Sequence, residues 1–525
     1  CKRKSFCFGV MVGEPSSWHQ PGGTIPDGSY ALLRANKEQI EWVSDAAASR
    51  AIWYYFDENL FIASSSQRAI ISLIGWYEPN KETYSWFFAS GYHGPYMGWD
   101  KRITHVKPYH SRIVLNRLDW SLEKIDNEFS LEPDKASDSS LEARFNQTYK
   151  DLFPSLQLDY SKWFLPLSGG TDSRLLLYLA KSEKDLQTIT WGFPGAKENP
   201  FCDPMIAARV AQMVDIPNRF YDEKKSDLPF ETILQQFLIV GEGRIDRIGG
   251  YIDGFELMNQ LAEDGVRGMI RGEYPVSDMD FSPNMDRVLA EIAHIRLTSN
   301  FTQEQLDSWE LSPTDFPPSL QRHENETLTT YRERLTIGFR NTSRYSSLND
   351  LKLLHQEIVQ PFLFKSVIDI NCSLPDHLRI NKHLFRKLTS QLGPDLPFAK
   401  ISSGINVKDY LRQEEMVNYL LKTLHSSMGQ SVLSDHLLHF LIENLDREPR
   451  SLETMHSSHS MKFKKRVEKL IPDKVYKLLK PESKKKKIID SNLMAFRACI
   501  ILEMQRLLEG DCDFLKIQSR MSQSV

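Results

Sequence analysis

The sequence predicts an α/β protein: an antiparallel β region comes first, a doubly wound parallel sheet follows, and a helical part comes last. Three features predict this order. Short alternating or aromatic runs, separated by turn residues, recur through positions 1–125. Between positions 160 and 280, short apolar runs alternate with helical stretches, which is typical of a parallel sheet. After position 300 the apolar spacing is mostly helical.

The N-terminal runs have the length of single strands, and turns such as Pro26–Gly28 separate them, so we expect an antiparallel β domain at 1–125. Apolar spacing also predicts two helices in this domain, at Gln67–Trp76 and Lys81–Phe88. The predicted strands are Ser29–Arg34, Ile40–Ser44, Ile52–Phe56, Leu60–Ser64 and Ser111–Leu115.

Residues 126–150 are polar and charged, and they predict a linker that leads into a helix near Leu141–Leu152. We place a second domain at 151–415 and a helical extension at 416–525, whose last helix, Leu493–Leu508, we expect to pack on the second domain. In the second domain the predicted strands are Trp163–Leu167, Thr188–Phe193, Arg219–Tyr221 and Gly268–Arg271, and the predicted helices are Ser173–Ala180, Met205–Val214 and Phe255–Leu261.

The composition excludes several classes of protein. With 525 residues, 41% hydrophobic and 26% charged, the chain is neither wholly disordered nor a collagen-like fibre nor a small disulfide scaffold. The formal net charge of −4 argues against a nucleic-acid-seeking polycation. No run approaches the roughly 20 apolar residues of a transmembrane helix. The 6 cysteines form no C-x-x-C pair, so we expect reduced thiols and a cytoplasmic protein.

The clearest motif is a Gly-Gly loop between a predicted strand and a predicted helix, and glycines there let the backbone approach an anion closely. Asp172 is an unusual neighbour for phosphate unless it binds Mg²⁺. The loop is neither a Walker A motif nor a dinucleotide fingerprint; the alternative is a plain β–α turn with a serine cap. The candidate phosphate-binding residues are Leu167, Ser168, Gly169, Gly170, Thr171, Asp172 and Ser173.

Ser168–Ser173 resembles the pyrophosphate loop of the asparagine synthetase family, which belongs to the PP-loop ATP pyrophosphatases and includes β-lactam synthetases and lasso-peptide cyclases. Other segments resemble the same family in order across 160–410: Thr190–Phe193, Arg271–Asp278, Gln360–Leu363, Ser373–Pro375, Phe385–Lys387 and Leu396–Gly404. Upstream, weaker similarity to the family's N-terminal glutaminase domain lies at Asp27–Tyr30, Ser44–Asp45, Trp53–Tyr55, Phe61–Ser64 and Ala89–Tyr92.

The resemblance implies an Ntn-hydrolase-like domain followed by a PP-loop synthetase domain, but the first is incomplete. Lys2 follows Cys1 where the family has glycine, and only about 27 residues precede the Asp27 segment. We therefore expect a shortened domain without glutaminase activity, and the role of Cys1 stays open. Arg174 and Phe364 also depart from the family pattern, which affects the expected acceptor substrate more than the ATP chemistry.

The family's chemistry is adenylation of a carboxylate by ATP, followed by attack of an amine on the acyl-AMP. The resemblance implies that Asp172 and Asp278 share Mg²⁺ and that Lys400 stabilises negative charge. It also implies that Glu273 deprotonates the amine, with Tyr274 as an alternative acid–base partner. The remaining implied ATP-binding residues are Trp191, Gly192 and Gly272. Residues 244–251 are a candidate lining for the acceptor pocket.

The expected function is an ATP-dependent amide ligase whose carboxylate and amine substrates are small molecules or peptides. A peptide, an amino-acid derivative, a sugar acid and a natural-product intermediate stay open as the carboxylate, and a partner protein is a candidate supplier. The lysine-rich segment Lys462–Lys487 predicts a solvated helical face, with an anionic carrier, nucleic acid or membrane surface as the alternatives. The alternative functions are a non-catalytic ATP-binding or scaffold relative, and a tRNA-modifying adenylyltransferase.

Overall fold

A computed structural model describes residues 5–13, 15–276, 279–294, 296–312, 314–401, 403–404, 407–448 and 489–513. The protein is α/β, with antiparallel sheets near the N-terminus and a parallel sheet and helices after them. Three sequence predictions concern residues outside those described: Cys1, Asp278 and the segment Lys462–Lys487.

Two antiparallel sheets form the N-terminal region. Their strands are β1 (Phe6–Val12), β2 (Asp27–Ala35), β3 (Gln39–Ser44), β4 (Trp53–Phe56), β5 (Phe61–Ser64), β6 (Thr104–His105), β7 (Arg112–Asn116) and β8 (Ser121–Ile125). One sheet has the order β1-β2-β3-β7-β8 and the other the order β5-β4-β6. The five predicted strands are confirmed as β2, β3, β4, β5 and β7. The pattern missed β1, β6 and β8; β1 and β8 are edge strands without fully buried residues.

The parallel sheet follows. Its strands are β9 (Trp163–Pro166), β10 (Gln187–Gly192), β11 (Asn218–Asp222), β12 (Gly268–Ile270) and β13 (Glu357–Val359). Their order is β11-β10-β9-β12-β13, with every neighbouring pair parallel. From β9 the chain continues to β10 and β11 on one side of the sheet and then to β12 and β13 on the other, so the strand order reverses between β9 and β12. The carboxyl ends of parallel strands form a crevice at such a point, and this crevice commonly binds ligands. The four predicted strands are confirmed, and only the three-residue β13 was missed.

Helices cover the sheet and make up most of the chain after β12. They are α1 (Gln67–Ile74), α2 (Lys81–Ser90), α3 (Asp138–Lys150), α4 (Leu152–Ser155), α5 (Thr171–Ala180), α6 (Asp203–Met213), α7 (Phe230–Gly241), α8 (Glu256–Glu263), α9 (Met285–Glu291), α10 (Gln303–Ser308), α11 (Leu328–Leu335), α12 (Ser346–Leu353), α13 (Lys365–Ser373), α14 (Asp376–Arg379), α15 (His383–Leu392), α16 (Val407–Tyr410), α17 (Glu414–Leu424), α18 (Ser427–Val432), α19 (Asp435–Glu443) and α20 (Ser491–Asp511). A π-helical stretch, Thr336–Tyr345, joins α11 to α12.

The last described helix connects the two halves of the molecule. It packs against α7 and α17 and also against α1 and α2 of the N-terminal region, where Arg68 Nε lies 2.7 Å from Asp511 Oδ2. Phe496 and Ile500 of this helix are fully buried in the same core cluster as Trp86 of α2. The helix therefore contacts more than the second domain on which we expected it to pack. None of the described helices is long and apolar enough to cross a membrane.

Candidate functional site

The predicted phosphate loop connects β9 to α5, and its two serines close it. Ser168 N donates to Ser173 Oγ at 3.1 Å, and the two serine Oγ atoms lie 3.0 Å apart. Gly170 N donates to Ser168 Oγ at 3.2 Å. Gly170 occupies the N-cap position of α5, but no side chain accepts a hydrogen bond from the first N–H groups, so the helix start is uncapped. The first N–H groups of α5 therefore point toward the loop as an anion site would require.

Close backbone approach explains Gly169 of the loop and Gly272, which follows β12. A Cβ on Gly169 would lie 2.3 Å from the Cβ of Ala399, and a Cβ on Gly272 would lie 3.2 Å from the backbone oxygen of Asp172. Gly169 N donates to Asp203 Oδ1 at 3.0 Å, and Ala399 N donates to Gly169 O at 3.1 Å. The loop is thus clamped between α6, the end of β12 and the chain near 399.

A cavity of about 370 Å³ opens over this loop, at the carboxyl edge of the sheet where β9 and β12 meet. The position matches the crevice that strand order predicts. Its walls are Pro166, Leu167, Ser168, Asp172, Ser173, Thr190, Trp191, Asp203, Arg271, Gly272, Glu273, Tyr345 and Ser403. The fold thus brings most of the predicted nucleotide-binding residues into one wall. Four predicted residues neighbour lining residues in the sequence but do not line the cavity themselves: Gly169, Gly170, Thr171 and Gly192.

Asp172 lies in the first turn of α5 and forms an ion pair with a residue that the sequence analysis did not select. Lys382 Nζ donates to Asp172 Oδ1 at 2.6 Å and to Oδ2 at 2.8 Å. Lys382 is buried, and its ammonium also lies 4.9 Å from the centre of the Tyr274 ring. A positive charge therefore lies beside the phosphate loop, and it comes from the entry to α15.

Glu273 follows β12 and lines the cavity as an ion-paired carboxylate. Arg271 Nε donates to Glu273 Oε1 at 2.7 Å, and Gln360 Nε2 donates to Oε2 at 2.9 Å. Burial alone would raise the pKa of Glu273, but the Arg271 guanidinium and these hydrogen bonds lower it below its usual range. A carboxylate held in this way is a weak proton acceptor.

The structure does not bring Tyr274 or Lys400 to the cavity. Tyr274 is 4% exposed, donates from its hydroxyl to Asn371 Oδ1 at 2.7 Å and packs on Phe385 with ring centres 4.4 Å apart. Burial raises the pKa of the Tyr274 hydroxyl well above its ordinary value. The side chain of Lys400 is exposed, with Nζ 5.3 Å from the centre of the Phe201 ring. Asp278 lies outside the described residues.

The two departures from the family pattern turn out to be structural. Arg174 is buried and donates to the carbonyl oxygens of Leu396 and Pro397 at 2.6 and 3.1 Å. It therefore holds the chain segment that reaches Ala399 and the loop. Phe364 is 1% exposed and belongs to the core cluster around α5. Neither side chain lines the cavity.

Two carboxylates of the cavity wall are of the kind that contact Mg²⁺ in a magnesium–nucleotide site. No group of three or more His, Cys, Asp or Glu within the described ranges is arranged to hold a metal ion. Mg²⁺ in nucleotide sites needs one or two carboxylates, with phosphate and water oxygens completing its shell. Asp172 and Asp203 both line the cavity and fit that requirement. Burial raises the pKa of Asp203, although hydrogen bonds from Gly169 and Ser403 oppose the rise.

Sequence reasoning missed Lys382, Tyr345 and Ser403. Lys382 has left-handed backbone, with φ 54°, and no motif marks it. Tyr345 is the last residue of the π-helical stretch. A π-helix has a longer period than an α-helix, so α-helical spacing does not predict which of its side chains face the cavity. Ser403 donates to the backbone oxygen of Trp191 at 3.2 Å, which places it beside the end of β10.

No family model matches the chain, and no curated protein matches it. The resemblance to the asparagine synthetase family therefore rests on its sequence motifs alone.

Proposed function

We propose that this chain is an ATP-dependent amide ligase that adenylates a substrate carboxylate and passes the acyl group to an amine, without glutaminase activity of its own. One observation carries the proposal: the Ser168–Ser173 loop and the uncapped start of α5 open into a cavity at the switch point of a parallel sheet. In this proposal the chain begins with a degenerate Ntn-hydrolase-like domain at residues 1–125, which a linker at 126–150 joins to a PP-loop synthetase domain at 151–415. A helical extension follows at 416–525.

The loop supplies the pyrophosphate site. In the adenylation step a carboxylate oxygen bonds to the α-phosphorus of ATP, the bond to the β-phosphate oxygen breaks, and pyrophosphate leaves. In this proposal the first N–H groups of α5 and the hydroxyls of Ser168 and Ser173 hold the leaving group. The N–H groups of Gly169 and Gly170, which donate to Asp203 and Ser168, would join them only by exchanging those partners. Mg²⁺, with Asp172 and Asp278 as predicted ligands, would neutralise charge between the α-phosphate and pyrophosphate.

Trp191 of the cavity wall and Lys382, which contacts the wall residue Asp172, have roles with the rest of the nucleotide in this proposal. Trp191 is half-buried at the carboxyl end of β10 and offers an aromatic face for adenine. Lys382 places its ammonium beside Asp172, where it orients the carboxylate and adds positive potential to the loop. We assign Lys382 the electrostatic role that the motif had suggested for Lys400.

Glu273 has a different part in amide formation from the one that the motif implies. Its lowered pKa keeps it anionic, so it is better suited to hold a cationic amine near the acyl group than to take its proton. Arg271 lies against the same carboxylate and faces the cavity.

The placement of Tyr274 and Lys400 away from the cavity favours a second candidate: a relative that binds ATP without turning it over. ATP turnover distinguishes the two.

Carboxylate-dependent exchange of pyrophosphate into ATP, with Mg²⁺ and a panel of peptides, amino acids and uronic acids, tests the proposal. We expect exchange with at least one acid and a loss of about 100-fold or more in Asp172→Asn. The control is Asp159→Asn, an exposed aspartate just before β9 that should leave exchange unchanged. ATP binding without exchange across the panel would favour the non-catalytic candidate, and absence of ATP binding would overturn both.

A further inference from the structure

Gln360 joins the N-terminal region to the carboxylate of Glu273. It directly follows β13, the neighbour of β12 in the parallel sheet, and it is 1% exposed. Its backbone N–H donates to the hydroxyl of Ser29 on β2 at 3.0 Å. Its side-chain Nε2 donates to Glu273 Oε2 at 2.9 Å. One residue therefore contacts both a strand of the N-terminal sheet and a carboxylate of the cavity wall.

A second connection between the N-terminal region and Gln360 runs through Asn349 of α12. Asn349 Nδ2 donates to the backbone oxygen of Ser49 at 3.1 Å and to Gln360 Oε1 at 2.8 Å. Ser49, Asn349 and Gln360 are all buried, and hydrogen bonds in such surroundings are stronger than in water. The N-terminal region thus holds the backbone of Gln360 directly and its side chain through one asparagine.

The acceptors at the two ends fix the direction of each hydrogen bond in this second connection. A backbone carbonyl and an ionised carboxylate can only accept hydrogen bonds. The nitrogen of the Asn349 amide therefore faces Ser49, and its second hydrogen goes to Gln360 Oε1. Gln360 then turns its own nitrogen toward Glu273. The Ser49 carbonyl thereby orients the amide that holds the carboxylate of the cavity.

The N-terminal region contacts β13 at both of its ends. Arg50 forms an ion pair with Glu357 at the first residue of this strand, and Gln360 lies just past the last. Because β12 and β13 are parallel neighbours, Gln360 and Glu273 both follow the carboxyl ends of adjacent strands. These contacts hold β13 in place and so keep Gln360 within reach of Glu273.

The hydrogen bond from Gln360 acts on the charge of Glu273. Burial raises the pKa of this carboxyl, and the charge of Arg271 together with hydrogen bonds from Arg271 and Gln360 more than offsets the rise. Burial and Arg271 also lower the pKa of Lys352 on α12, and the charge of Glu273 opposes that fall. Arg271 donates to Oε1 and Gln360 to Oε2, so the carboxylate is held at both oxygens and offers its remaining lone pairs in one orientation.

We propose that Gln360 and Asn349 are positioning residues that orient Glu273 to bind the attacking amine. They depend on the N-terminal region, which supplies the Ser29 hydroxyl and the Ser49 carbonyl as their acceptors. The inference rests on the proposed function, in which Glu273 holds a cationic amine. It gives the N-terminal region a part in amide formation that needs no glutaminase activity. Pyrophosphate exchange uses no amine, so adenylation should not depend on these residues.

Kinetics with two amines test this inference on the full chain, with ATP, Mg²⁺ and an acid that supports exchange. The amines are methylammonium, a cation at neutral pH, and hydroxylamine, which is uncharged there. We expect Gln360→Met and Asn349→Leu each to raise the KM for methylammonium by about tenfold or more, while exchange and the KM for hydroxylamine stay within about twofold. The control is Gln356→Met, an equally buried glutamine that donates to the backbone oxygen of Met258 at 2.8 Å and should change neither KM.

The double variant tests whether Asn349 acts through Gln360. If it does, adding Asn349→Leu to Gln360→Met should raise the KM for methylammonium no further. Effects that multiply in the double variant, or an unchanged KM in both single variants, would overturn the inference. Ser29→Ala is a milder change that stays testable if the others fail to fold. It should raise the same KM by about threefold or more, and no rise would remove the N-terminal region from the proposal.

A measurement without substrates separates this inference from the proposed function. The lowered pKa of Glu273 stabilises the folded chain above pH 4.5, and this stabilisation is lost as the pH falls through the folded pKa. The urea midpoint of Gln360→Met should therefore lie below that of wild type near pH 7, by a difference that shrinks below about pH 4. The difference for Gln356→Met should not vary with pH. This pattern without exchange by any acid would count against the ligase and keep the positioning of Glu273, whereas a pH-independent difference for Gln360→Met would overturn it.

Discussion

Lys382 donates to both carboxylate oxygens of Asp172, at 2.6 and 2.8 Å, across 210 positions of sequence. Lys382 and the residue before it, Asn381, both have left-handed backbone, with φ 54° and 53°. Such backbone costs about 1 kcal/mol or more per non-glycine residue. The turn that carries this strain directs the Lys382 side chain toward the phosphate loop, and the ion pair offsets part of the cost.

We expect Lys382→Gln to lower the free energy of unfolding by about 2 kcal/mol, because it removes a buried charge partner of Asp172. Pyrophosphate exchange should also fall, since the loop loses its nearest ammonium. Urea unfolding and the exchange assay measure the two effects. Lys387→Gln is the matched control on the same helix: its exposed pair with Glu142 should contribute less than about 1 kcal/mol. Equal effects of the two variants would contradict the assigned role.

We expect Gly169→Ala to abolish ATP binding, because its Cβ would lie 2.3 Å from the Cβ of Ala399 and force the loop and that segment apart. Overpacking of this kind costs about 1–3 kcal/mol of stability. Equilibrium dialysis measures the affinity for ATP, and thermal unfolding measures the loss of stability. Gly510→Ala is the control, since nothing lies within 4 Å of its Cβ position near the end of α20. Unchanged ATP affinity in Gly169→Ala would show that the loop does not need this close approach.

Tyr274→Phe tests whether this tyrosine is structural or catalytic. Removing the hydroxyl leaves Asn371 Oδ1 without its 2.7 Å donor, so we expect stability to fall by about 1–2 kcal/mol. Exchange and amide formation should be almost unchanged. A general acid or base would instead cost about 100-fold or more in rate. Tyr331→Phe, which removes another buried hydroxyl donor, is the control and should lose stability in the same range.

Glu223 follows β11, is buried, and has a pKa raised to about 7 by burial and by the charge of Asp253. The folded protein therefore favours the neutral carboxyl, whereas the unfolded chain ionises near 4.5. Stability that depends on this group is present below pH 4.5 and is lost as the pH rises to about 7.

Glu223→Gln should thus stabilise the protein relative to wild type by about 1–3 kcal/mol at pH 8, with the difference shrinking as pH falls toward 5. Urea unfolding at a series of pH values measures the difference. Glu263→Gln, an exposed glutamate on α8, should give a difference that does not vary over this range. A pH-independent difference for Glu223→Gln would contradict the raised pKa.

Much of the local structure could be predicted from residue spacing. The strand β9, the loop Ser168–Gly170 and the helix α5 were expected where they are found, because apolar spacing, glycines and a polar first turn are all local signals. The edge strand β1 was missed, since a half-exposed strand has no apolar alternation to reveal it. The three-residue β13 was missed because its length leaves no periodicity to measure.

The composition of the cavity wall depended on tertiary structure. Trp191, Gly272 and Glu273 were expected there from the resemblance. They line the cavity because they end or follow parallel strands, whose carboxyl ends share one edge of a sheet. Tyr274 turns away from that edge into the core, and β12, with three residues, was too short to show this from spacing. The motif around Lys400 predicted a charge at the site, but the backbone there approaches Gly169 while the side chain is exposed.

The sequence by itself determined where the Ser168–Ser173 loop lies and which strands surround it, because glycines and apolar spacing are local signals. Tertiary structure alone decided which charges meet there. Lys382 reaches Asp172 through a left-handed turn, and Tyr345 reaches the cavity through a π-helical stretch. Charges interact through space over several ångströms, so the partner of a charged group depends on how distant segments pack. The spacing of residues along the chain does not predict that packing.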